Sequence, residues 1–194
     1  MTNGGDHTWR VDGGPPLPVE VIELLDSGEE AYPRMLEAIV GARRAVYLEV
    51  YAFARSGVGR CFIEALRLAA ARGVEVTVVV DGWGSACGGN AVAAALRRAG
   101  CRVRIYNRLL AVLVGRFCRN HRKVLLVDDD VAFLGGINIS DENVGSSERP
   151  GWADLAVEIR GRPCALLGQM LRGEPLSDIG SSVRIHLCGP GGGW

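Results

Sequence analysis

Residues 74–82 read VEVTVVVDG, an apolar run interrupted only at Glu75 and Thr77 before it closes on Asp-Gly. A strand with one wet face alternates apolar and polar residues, whereas a near-continuous run belongs to a strand covered on both faces. Its neighbours supply the cover. GRCFIEALRLAAARG (59–73) places Phe62, Leu66 and Ala69 on one helical face and ends on Gly73, while NAVAAALRRAG (90–100) ends on Gly100. The same rhythm extends to both sides: VEVIELL (19–25) as strand, AYPRMLEAIVGARR (31–44) as helix, RAVYLEVYAF (44–53) and CRVRIYN (101–107) as strands. Strands alternating with helices of this length predict an α/β fold, here a mixed, mostly parallel sheet flanked by helices on both faces. Further on the rhythm changes. HRKVLLVDDD (121–130) and VAFLGG (131–136) read as two strands joined by a tight acidic turn, a hairpin. ADLAVEIRG (153–161) adds a strand and PCALLGQMLRG (163–173) a helix.

Residues 1–17 form a polar tail ending near GGPPLP, and residues 18–172 form the folded lobe. Residues 173–194 read as a linker running into the start of a second lobe. SVRIHLCGPGG repeats the layout of VEVIELLDSG, an apolar strand delivering a glycine turn; an edge strand with a loose tail explains it equally. The tail lacks the apolar core of an export signal, and no apolar run reaches the roughly 18–20 residues needed to span a bilayer. The six cysteines form no CxxC pair, so the expectation is a reduced, cytoplasmic-side protein with free thiols.

Formal net charge is zero, which disfavours nucleic acid as a general partner. The charge is unevenly spread: residues 101–123 carry seven basic and no acidic side chains. Within them LLAVLV (109–114) lies between Arg108 and Arg116. It reads either as a buried strand or core loop, or as an apolar tip in which Leu109, Leu110, Val112 and Leu113 dip into a lipid interface beside those arginines.

Lys123 is the single lysine, against twenty-one arginines, and it stands two positions after His121. Residues two apart in an extended chain share a face. Two cations on one face are justified when an anion sits between them. Lysine holds one phosphate oxygen as a point charge, where the arginine fork seeks two. Gly135 and Gly136 let backbone approach a ligand closely, and the Asn138 amide can donate to an anion. A nucleophilic imidazole also needs a carboxylate on its other nitrogen, for which Asp128 and Asp154 are the nearest candidates. Cys118, three residues before His121, offers a second donor to a zinc ion, but no further ligand pair is nearby. Glu49 and Asp81 lie in apolar strands, as supports of the site or as carboxylates buried against arginines. His7 and His186 do not form a second motif.

The pattern HxK(x)4D(x)6GGxN, filled by His121, Lys123, Asp128, Gly135, Gly136 and Asn138, resembles the signature of the phospholipase D superfamily. YPRMLEAI, YLEVYAF, ARGVEVTVVVDGWGS, NHRK, GGINISDEN and GWADLAVEIRG are similar to the first half of bacterial cardiolipin synthases. The resemblance implies a phosphatidyltransferase working on phospholipid phosphodiesters without metal or cofactor, peripheral on the inner membrane. His121 would be the nucleophile forming a phosphohistidine. Lys123 and Asn138 would stabilise the non-bridging oxygens, and Asp154 would orient His121. Asp128 would be a structural or charge-balancing residue beside Lys123. Gly135, Gly136 and Ser140 would be substrate contacts. The chemistry calls for a second histidine as general acid and base. The partners implied are therefore an anionic phospholipid membrane and a second lobe, either a missing C-terminal half or a second copy. The competing reading is a homodimeric single-motif phosphodiesterase or nuclease.

Overall fold

The apolar run becomes β3 (Glu75–Asp81) of a seven-stranded sheet in a computed structural model, which describes residues 19–55, 57–82, 84–85, 89–106, 120–144 and 150–174. The other elements are β1 (Val19–Leu25), α1 (Gly28–Gly41), β2 (Ala45–Val50), α2 (Val58–Ala71), α3 (Gly89–Arg98), β4 (Arg102–Tyr106), β5 (Val124–Val127), β6 (Val131–Gly135), β7 (Ala156–Gly161) and α4 (Arg162–Arg172). A short 3-10 turn covers Asp141–Asn143. The strand order is β1-β7-β6-β5-β2-β3-β4.

The expected mixed sheet with helices on both faces is present, but the balance of strand directions differs from the expectation. Only β2–β3 and β3–β4 are parallel; the four pairings from β1 through β7, β6 and β5 to β2 are antiparallel. The reason lies in the hairpin. Its strands β5 and β6, followed by β7, fill the space between β1 and β2, so β1 ends at an edge rather than as a parallel neighbour of β2.

Helix α1 starts three residues before the periodic apolar pattern, because Ser27 caps it, its hydroxyl accepting from the Glu30 amide at 3.3 Å. Helices α1, α2 and α3 bury Tyr32, Met35, Ile39, Phe62, Leu66 and Leu96 against one face of the sheet. On the other face, among the described residues, α4 packs, where Cys164 and Leu167 meet Val124, Leu126 and Ala132. Strand β5 is buried at all four positions, sandwiched between these layers. The β5–β6 connection is the three residues Asp128–Asp130: Asp128 and Asp129 both take φ of 55°, the left-handed values of a type I′ turn, and Asp130 N donates to Val127 O at 3.0 Å.

No helix among the described residues is long and apolar enough to cross a membrane. The segment bearing Arg108, Leu109, Leu110, Val112, Leu113 and Arg116 lies outside the described residues, as do Cys118 and the strand expected at 181–194.

Candidate active site

His121 and Lys123 meet just ahead of β5. The ladder begins only at Val124, so residues 120–123 lie outside any strand. The shared face expected for the pair is nevertheless there. Lys123 Nζ lies 3.2 Å from His121 Nδ1 and 3.3 Å from Nε2, and it donates to the His121 carbonyl oxygen at 3.0 Å. His121 is exposed, whereas Lys123 is 7% exposed, above a cavity of about 20 Å³ lined by Met35, Ile137 and Ile139 among others. Burial pushes the Lys123 ammonium below the ordinary lysine range, and the charge of nearby Asp154 offsets this only in part. Two full positive charges about 3 Å apart repel by roughly 5 kcal/mol at an effective dielectric near 20. An oxyanion placed over the pair removes that repulsion.

Asn138 is presented by the loop after β6, where Ile139 bridges Phe53 and Ile139 N donates to Ala52 O at 3.1 Å. Its side-chain oxygen accepts from Ala52 N at 3.1 Å, which fixes the amide orientation and leaves the NH2 end to donate elsewhere. From α1, the Tyr32 hydroxyl donates to the Asn138 carbonyl oxygen at 2.5 Å.

The two glycines serve a different approach from the one expected. A Cβ on Gly136 would collide with the Asp154 carboxylate, and one on Gly135 with the Leu155 carbonyl. Gly136 N donates to Leu155 O at 2.8 Å. The chain's own residues 154–155 thus take the space that a ligand was expected to need, and the pair of glycines seats Asp154. Ser140 departs from expectation too: it is buried, and its hydroxyl bonds Asn143 Oδ1 at 3.2 Å, which holds the loop.

Asp128 is not beside Lys123. The two flank opposite ends of β5, roughly 16 Å apart for five residues of extended chain. Its carboxylate accepts from the backbone N–H groups of Arg43, Arg44 and Ala45, each at 2.8 Å, and so ties the start of β2 to the hairpin turn. Burial alone would raise its pKa; those three donors and the Arg44 charge outweigh it, and the carboxyl sits below its usual range.

A family model described as "Cardiolipin synthase, PLD-like domain" matches residues 35–152. The chain belongs to this family. The PLD-like domain is 38% identical over 143 residues to cardiolipin synthase B of Salmonella typhi, a match covering 72% of this chain and 35% of that protein. It therefore spans about a third of the length of that relative. Nuc from Salmonella typhimurium, a phospholipase D family member, superposes with a TM-score of 0.57 at 25% identity, covering 79% of this chain and 90% of that one. NucT from Helicobacter pylori shares the fold, with a TM-score of 0.61 at 19% identity and coverage of 79% and 93%.

Around the PLD-like domain's histidine stand residues that the spacing of the motif does not reveal. The Tyr51 ring lies 4.8 Å from the His121 ring, centroid to centroid, and 5.5 Å from Lys123 Nζ. Glu49, 3% exposed, accepts from Tyr47 OH at 2.7 Å, bonds the Asn120 amide and pairs with Arg122 Nε at 3.4 Å. Asp81, 1% exposed, accepts from Gly84 N at 3.1 Å and from Asn120 N at 3.3 Å. A buried carboxylate paired with an arginine was legible at Glu49; that both acids converge on the residue before the histidine was not. Among the described residues, no group of three or more His, Cys, Asp or Glu is placed to hold a metal ion.

Proposed function

We propose that this PLD-like domain carries the attacking half of a phosphatidyl-transfer site. The observation that carries the reading is the exposed His121 ring lying 3.2–3.3 Å from the ammonium of buried Lys123. An imidazole nitrogen forms a bond to phosphorus, the P–O bond to the first alcohol breaks, and that oxygen leaves with the electron pair. Lys123 and the Asn138 NH2 hold the non-bridging oxygens as charge grows on them, and Asp154 stabilises the resulting imidazolium. An acceptor alcohol then displaces the histidine and takes the phosphatidyl group. The glycerol alkoxide is a poor leaving group and needs a proton, which a second lobe's histidine supplies and then regains from the acceptor hydroxyl. Resemblance to cardiolipin synthase B supports a phospholipid phosphodiester as substrate, with phosphatidylglycerol as donor and acceptor.

Proton donation can be separated from attack with bis(p-nitrophenyl) phosphate, because p-nitrophenolate leaves without protonation. The expected result is a burst of one p-nitrophenolate per chain and an acid-labile phosphoryl adduct on His121, absent in His121→Ala. A chain with no burst and no adduct overturns the assignment of His121. With phosphatidylglycerol vesicles, turnover is expected only when a second lobe is present.

A second reading, a homodimeric single-motif phosphodiesterase, is favoured by one observation: this chain covers 90% of Nuc but 35% of cardiolipin synthase B. Sedimentation decides between the two, since the second reading requires a dimer with turnover of its own.

A further inference from the structure

His121 has no strand ladder to hold it, because β5 starts three residues later, yet in-line attack requires its ring to be aimed. We propose that Asn120 is the positioning residue for His121, locking it as the central residue of a turn anchored on two buried carboxylates. The proposal rests on the reading of His121 as the reacting group.

Asn120 is 4% exposed, and its side-chain oxygen, side-chain amide and backbone N–H are all engaged. Its side-chain oxygen accepts from Arg122 N at 3.3 Å, closing an Asx-turn with His121 in the middle. Its side-chain amide donates to Glu49 Oε1, and its backbone N–H donates to Asp81 Oδ2 at 3.3 Å. The acids come from neighbouring parallel strands, β2 and β3, so the turn is pinned to the two strands on which the antiparallel half of the sheet joins the parallel half. Arg122, two residues on, returns to Glu49 at 3.4 Å. Lys123 closes the other end through its bond to the His121 carbonyl oxygen. The backbone of His121 is thereby fixed from both sides. Its ring is left with rotation about its own side-chain bonds, which the Tyr51 ring at 4.8 Å restricts. Asparagine is the residue this needs: aspartate would face Glu49 with a second carboxylate, and glutamine is too long to close the turn.

The test combines two readouts on Asn120→Ala, Asn120→Ser, Glu49→Ala and Glu49→Gln. The first is the His121 ring in long-range proton–nitrogen NMR spectra of histidine-labelled protein, which reports tautomer and ring order without any substrate. The second is the burst rate with bis(p-nitrophenyl) phosphate, split into maximal rate and half-saturating concentration. Asn120→Ala is expected to average the His121 signals and to slow the maximal rate by roughly 100-fold, the scale of a misplaced reacting group, with half-saturation little changed. Asn120→Ser keeps a weaker acceptor for Arg122 N, and is expected to lose roughly 10-fold. Glu49→Gln, which keeps an acceptor for the Asn120 amide, is expected to recover most of the rate that Glu49→Ala loses. Folded Asn120→Ala with wild-type ring signals and burst rate overturns the proposal. If that variant does not fold, Asn120→Ser with both readouts at wild-type values overturns it instead. A wild-type chain with no burst sinks the reading of His121, while the NMR comparison still decides whether Asn120 orders the ring.

Discussion

The Tyr32 hydroxyl on α1 reaches across to Asn138 and bonds its carbonyl oxygen at 2.5 Å, with the Ser140 carbonyl at 3.0 Å. Burial comes first among the causes that raise this phenol to about 12, so it stays a donor throughout the working pH range. A helix of the core thus holds the loop that presents Asn138, the amide proposed to bind the oxyanion.

Tyr32→Phe removes that donor and leaves the half-buried Asn138 carbonyl without it, while the Ser140 carbonyl keeps the Asn143 amide. A loss of about 1–3 kcal/mol in stability is expected, read from the urea midpoint. In the folded fraction the burst slows through Asn138; a variant with wild-type stability and rate contradicts the role given to this bond.

Lys123→Arg is expected to fail as a replacement, with the burst reduced at least about 100-fold, because the fork is larger than a point charge in a nearly closed site. Lys123→Met, by contrast, removes a buried charge and is expected to raise the urea midpoint at neutral pH while abolishing the burst. The pH dependence follows from the same burial. With the folded pKa below the unfolded lysine value, the unfolded chain binds more protons between the two, so wild-type stability rises with pH across that window. Where the burst depends on the ammonium form, its alkaline limb falls below the ordinary lysine range. Flat stability from pH 8 to 11 in wild type, matching Lys123→Met, contradicts this.

Gly136→Ala forces Asp154 aside. The expected outcome is a folded or weakly destabilised protein whose burst falls by roughly one to two orders of magnitude, because Asp154 is the carboxylate proposed to orient His121. Crystals of the variant should show the Asp154 side chain moved.

Asp128→Ala is expected to act on the fold. Loss of three backbone hydrogen bonds to a carboxylate lowers stability by roughly 1–3 kcal/mol, less where solvent screens them. Because the folded pKa is depressed, this stabilisation is full above the ordinary carboxylate range and disappears as pH falls through the folded value. Acid titration of the urea midpoint in wild type and variant should converge at low pH. A burst rate lost per folded molecule would return Asp128 to the chemistry.

Substituting LLAVLV (109–114) with serines is expected to abolish flotation with vesicles rich in anionic lipid, if the segment is the lipid contact proposed from its composition. Unchanged flotation removes that role.

Much of the architecture was open to a reader of the sequence, because β3 and the helices beside it carry strong periodic patterns. The strand directions were not. Nothing local in VEVIELL says that Val19–Leu25 pairs with Ala156–Gly161 at the far edge, since that depends on a hairpin a hundred residues later. The histidine–lysine pair was legible from a spacing of two. Asp128 was misplaced because a sequence counts residues and not the length of buried strand between them. Asn120, Glu49 and Asp81 escaped notice as a group because three different elements deliver them.

Strand β5 acts as a spacer of fixed length, with four buried residues between the reacting end and the hairpin turn. Because alternate residues face opposite layers, inserting or deleting one there would swap the apolar contacts of both layers at once. Exchanges among valine, isoleucine and leucine at 124–127 should be well tolerated, whereas any change in their number should not. The interval between Lys123 and Asp128 is therefore a ruler, and what it measures is the span of β5 from the proposed reactive rim of the sheet to its anchoring rim.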